Sequence, residues 1–148
     1  MSLESYYTNL IDSTNERIAN YRQQNDELTQ QQEQKKEELK EQSWATYYLK
    51  KAYSSARNKM HNYLRENGGM FALSAEQKAE YLQMMSETGS LKSSWTAARS
   101  AQYGLIQNVT SLGNTIFSNN LAQFDATLDV GKYTIQQQFL NHLTQELG

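Results

Sequence analysis

The stretch "NGGMFALSAEQ", Asn67–Gln77, is where this chain turns back on itself. Asn67–Gly68–Gly69 reads as a helix end, because glycine enters the left-handed cap conformation without steric penalty. Five residues after Gly69, Ser74 and Gln77 have the spacing of a capping box, in which each side chain satisfies an orphan N–H at a helix start. The spacing predicts a short helix at about residues 75–87, stopped at Thr88–Gly89. Ser90 is then placed to cap a further helix opening at Leu91. Residues 67–90 thus form a tip between two arms.

Outward from this tip, towards the N-terminus, positions 7, 11, 14, 18, 21, 25, 28, 32, 35, 39, 42, 46, 49, 53, 56, 60 and 63 follow a 4–3 spacing. Tyr7, Ile11, Ile18, Tyr21, Leu28, Leu39, Leu49, Tyr53, Ala56, Met60 and Tyr63 are its apolar or aromatic members. That pattern predicts one helix over residues 3–66 with a single narrow seam. On the other side Leu91, Trp95, Ala98, Leu105, Val109, Leu112 and Ile116 hold a helical stripe. It then slips by one to Phe117, Leu121, Phe124 and Leu128. Gly131 offers a kink or break, after which Ile135, Phe139, Leu143 and Leu147 close residues 91–147. The arms match in length, each roughly 85–95 Å at 1.5 Å per residue. The fold expected is all-α, a single elongated domain over residues 1–148. Two long antiparallel helices form a coiled-coil-like hairpin with a short helical tip.

Composition narrows the function. Hydrophobic residues are 38% of the 148, so a narrow helical seam suits the chain better than a large globular core. A net charge of −2 supplies no field towards nucleic acid or anionic lipid. Without cysteine there is no disulfide, thiolate nucleophile or Cys-type zinc site, and without proline the commonest helix breaker is missing. "MSLESYYTNLID" has no basic segment followed by an apolar core, so no cleavable signal peptide is expected, and no apolar run is long enough to span a membrane. The compartment stays open.

Within the first arm, "NDELTQQQEQKKEELKEQ" (residues 25–42) offers only Leu28 and Leu39 to a core. Seam positions Asn25, Gln32, Lys35 and Gln42 are polar. A turn between 66 and 91 places residue i near residue 157 − i, so this stretch should face residues 115–132. There Ile116, Phe117, Leu121, Phe124 and Leu128, with Val130 beside them, exceed what two leucines can cover. The first arm has 20 charged residues in 64, residues 91–148 have 6 in 58, and Ser100–Phe124 has none. A lone surface helix keeps a charged face. The five apolar residues are therefore expected to form an interface with another chain, while residues 25–42 form a wet outer wall.

Chemistry is sparse. His61 has Arg57 and Arg65 at i±4 and no carboxylate at helical spacing, and His142 has only Glu146. Asp125 and Asp129 read as two solvated acids on one helical face. No phosphate loop, nucleophile elbow or metalloprotease motif occurs, so no enzyme, metal, cofactor or small-molecule substrate is expected. Between Ser43 and Arg65 lie Lys50, Lys51, Arg57, Lys59 and Arg65, with Trp44, Tyr47, Tyr48, Tyr53 and Tyr63 interleaved and no acid. Such a set can stack on nucleic acid or meet a lipid headgroup layer. Five cations over 23 helical residues point several ways, however, so a contact with an acidic partner is the expectation kept. Gly104, Gly113, Ala97, Ala98, Ser100 and Ala101 are small enough for close helix approach.

In architecture and composition the whole chain resembles the axial or secreted helical subunits of bacterial secretion machines. It lacks the Trp-x-Gly turn of the small type VII secretion partners: Ala45–Thr46 follow Trp44 and Thr96–Ala97 follow Trp95. The resemblance implies a non-enzymatic structural or adaptor subunit that self-assembles or binds a helical partner through its second arm. A virion component, internal or for genome delivery, shares the same composition, and a membrane-acting module is the reading from a different class.

Overall fold

The computed structural model describes residues 2–147. Two helices, α1 (Leu3–Glu66) and α2 (Ala75–Leu147), pack antiparallel through a 3-10 turn at Met70–Ala72, with no strand among the described residues. The all-α hairpin is the fold that the heptad spacing predicts. Every position of the 4–3 series from Tyr7 to Tyr63 is buried or half-buried. The polar members are included, so the period sets the inward face and hydrophobicity alone does not.

The turn closes by backbone chemistry. Gly69 N–H donates to the Leu64 carbonyl at 2.8 Å and Gly68 N–H to Arg65 at 3.4 Å, the paired bonds of a Schellman cap. Gly68 and Gly69 take φ of 82° and 95°, values that side chains rarely adopt. The capping box is complete: Gln77 N–H reaches the Ser74 hydroxyl at 3.2 Å, and Ser74 N–H reaches Gln77 Oε1 at 2.9 Å. Gln77 Nε2 also donates to Asn67 Oδ1 at 3.0 Å, tying the end of α1 to the start of α2. Leu73 and Tyr81 are buried beneath this tie.

Three expectations about the second arm are corrected. No separate tip helix stops at Thr88–Gly89, and no new helix opens at Leu91, because α2 runs unbroken from Ala75. Gly131 does not break it either. A helical glycine costs about 1 kcal/mol relative to alanine, whereas a break would orphan a full set of terminal backbone groups. It would also unseat inward residues such as Thr88 and Val130. The third correction is the register, which follows from the early start of α2.

Two compact units make up the chain. In unit 2, Lys35–Asn108, Gln42 Nε2 donates to the Ala98 carbonyl at 3.2 Å and Gln102 Nε2 to the Ser43 hydroxyl at 3.1 Å. Tyr53 stacks on Trp95 at 5.6 Å between ring centres, and the Arg99 guanidinium lies 5.2 Å over the same indole. In unit 1, formed by the chain up to Gln34 and from Val109, Asn25 Nδ2 donates to Asn120 Oδ1 at 2.8 Å and Gln32 Nε2 to the Val109 carbonyl at 3.2 Å. Tyr7 lies 6.4 Å from Tyr133, and Gln137 Nε2 reaches the Thr8 hydroxyl at 2.5 Å. Within each unit the residue numbers of such pairs add to between 140 and 148, not 157. Residues 25–42 therefore face about 103–120 and meet only the first few residues of 115–132, as Asn25 does at Asn120. The outer side of this stretch is exposed, but its seam positions are not wet, since Asn25, Gln32 and Gln42 all bond across to α2.

Candidate functional site

The new register decides which side of α2 is left over. In unit 1 the inward residues are Val109, Leu112, Ile116, Gln123, Ala126, Val130, Tyr133 and Gln137, all buried or half-buried. Ala126 is the tightest of them at 4% exposure. The stripe does not slip at Ile116; it continues at the same period into smaller and more polar residues. Ile116 belongs to this hairpin seam and not to the outer group in which the sequence pattern placed it.

Phe117, Leu121, Phe124 and Leu128 turn the other way, and Ile135 and Phe139 follow them. These six are between 52% and 67% exposed. At about 100° per residue they fall within an arc of about 60°. Single exposed apolar residues are ordinary on a protein surface, and six in one row form a larger patch of the kind that contact surfaces carry. Its borders carry little charge. From Val109 to Phe124 this part of α2 has none, and Asp125, Asp129 and Lys132 are the first to appear. Gly131 lies on the same outer arc, and an added Cβ there meets nothing within 4 Å.

The basic residues of unit 2 do not converge. Lys50, Lys51, Arg57, Lys59 and Arg65 are all exposed. Lys50 and Arg57 are two turns apart on one face. Lys51 stands about 100° round from Lys50, and Lys59 about 200° round from Arg57. Arg65 hydrogen-bonds Asn62, and Lys59 borders a depression shared with Glu66 and Met84. Glu80 accepts the Tyr63 hydroxyl at 2.8 Å. Burial, then that bond and the carboxylate's charge, hold the Tyr63 phenol above its ordinary 10.0.

Two further surfaces of unit 2 are apolar. Trp44, Tyr47 and Tyr48 form an exposed cluster, with Trp44 stacked on Tyr48 at 5.9 Å. Their i, i+3, i+4 spacing is the signal that gathers them. At the turn Phe71 is fully exposed beside a depression lined by Met70, Lys78, Tyr81 and Leu82. The "MF" after the two glycines was its only sequence mark. A shallow groove of about 530 Å³ runs along Thr96, Arg99, Tyr103 and Ile106. None of these sites gathers a nucleophile with a base.

Both histidines are exposed, and His142 lies 3.9 Å from Glu146. Among the described residues no group of three or more His, Asp or Glu could hold a metal ion. No helix there is long and apolar enough to cross a membrane. The sequence matches no protein-family model, and no curated protein or solved structure matches it either.

Proposed function

We propose that this chain is a non-enzymatic helical building block that assembles with copies of itself through the outer face of α2. The carrying observation is the row Phe117, Leu121, Phe124, Leu128, Ile135 and Phe139, which α1 leaves uncovered. Fully burying one such side chain is favourable by roughly 1.5–3 kcal/mol. A copy closing over half-exposed members of the row gains several times that before association costs. The basic residues of unit 2 support the same reading, since they point apart and offer no competing surface.

The setting we propose is the one whose architecture the chain resembles, an axial or secreted subunit of a bacterial secretion machine; a virion internal or genome-delivery protein is the alternative. Light scattering combined with small-angle X-ray scattering over a concentration series tests the assembly. The expected mass is a multiple of 17.1 kDa. A single-chain mass throughout would overturn the proposal. A membrane-acting role would instead carry the wild type to the top of a liposome flotation gradient, and no such flotation is expected.

A further inference from the structure

We infer that two copies pair antiparallel along this face, about a two-fold axis at Leu128; the inference rests on the assembly reading above. The row is close to palindromic. Matching residue i with residue 256 − i sets Phe117 against Phe139, Leu121 against Ile135 and Leu128 against itself. An isologous contact needs such a self-complementary pattern, because each copy presents the same patch in reverse.

Two details outside the apolar row agree with this register. Phe124 is matched in height with residue 132 of the other copy, and Gly131 lies one residue, about 1.5 Å of rise, away on the flank that Phe124 faces. Gly131 is an outward-facing helical glycine whose missing Cβ nothing in its own chain requires. In the pair it gives the Phe124 ring a hole to enter, and the exchange occurs twice. Charge is the second detail. Asp125 and Lys132 are both exposed and lie on the same flank of the row, about 20° apart in helical angle. Antiparallel helices bring like flanks together, so Asp125 of one copy comes within one residue of helical rise of Lys132 of the other, again twice. A parallel pair would bring opposite flanks together instead. Asp125 and Lys132 would then face the uncharged Asn120, Thr127 and Thr134. The geometry selects the antiparallel form.

Because the chain has no cysteine, single thiols report the register cleanly. With a short bismaleimide, Leu128→Cys should link to its own copy. Phe117→Cys should not link to itself, since two such positions stand about 33 Å apart, but should link when mixed with Phe139→Cys. Three other variants check the flank and the hole without removing a ring. Asp125→Lys and Lys132→Asp alone should each weaken association, about tenfold, and their combination should restore it. Gly131→Gln should strengthen the isolated helix yet weaken association. Self-linking of Phe117→Cys in an oligomer of unchanged mass would overturn the antiparallel register while leaving assembly standing. Failure of the charge-swapped double variant to recover would overturn it too. A wild type that stays a single chain, with no link at any position, would overturn both readings together.

Discussion

From Val109 to Leu140 both faces of α2 carry apolar residues, but the larger share of the aromatic ones lies outside. The face turned to α1 carries Gln123, Ala126 and Gln137 among its members, and its cross-helix ties include amide hydrogen bonds from Gln32 and Gln137. The face turned to solvent carries three phenylalanines, two leucines and an isoleucine. A hairpin held mainly by burial would place those groups the other way round. Small inward residues let two helices approach closely, and amides bonding across the seam fix its register. The larger apolar groups are then free for another contact. The inner face specifies the hairpin, and the outer face is the one proposed to take a partner.

Leu128→Asp separates the two roles with the largest effect. It would put an unpaired charge into a dry contact, with loss of the assembly and no loss of helix by circular dichroism. Next comes the inner face. Ala126→Leu overfills the most buried inward position of α2 and should cost about 1–3 kcal/mol in denaturant unfolding. Oligomers that vanished with Ala126→Leu but survived Leu128→Asp would reverse the assignment of the faces. Gln32→Ala is milder, about 1 kcal/mol for a lost hydrogen bond to the Val109 carbonyl. No change at all would mean that this seam position is wet after all.

The smallest effect lies at the turn, where Glu80 and burial raise the Tyr63 phenol. A raised folded value means that the folded chain holds this proton more tightly. The associated stability is present below pH 10 and fades as pH climbs through the folded value. Glu80→Gln should bring the phenol back towards 10, read by NMR of ring-labelled tyrosine, without altering assembly.

Much of this fold is legible from residue spacing. The 4–3 series marks the whole inward face of α1, and "NGG" with "SAEQ" marks both caps at the turn. What spacing does not reveal is that a capping box can open a helix of 73 residues as readily as a short one. Thr88–Gly89–Ser90 has the local chemistry of a stop and a restart, and tertiary packing overrides it. From that one misplacement the register shifts, and with it the partners of residues 25–42. The outer row suffers less. Phe117, Leu121, Phe124 and Leu128 stand out because no arrangement of the polar stretch 25–42 covers them, whichever register holds. Ile116 is separated from them only by the 100° between neighbouring helical residues, and the apparent slip in the stripe hid that boundary. Ile135 and Phe139 continue the row, but a supposed break at Gly131 kept them apart from it.

The central claim is that the outer face of α2 is an assembly surface, and the mass of the Phe124→Asp variant beside the wild type tests it most directly. Sedimentation equilibrium should give a multiple of 17.1 kDa for the wild type and 17.1 kDa for the variant, with equal helix content. A wild type that sediments at 17.1 kDa at the highest concentration reached, or a variant that keeps the wild-type mass, contradicts it.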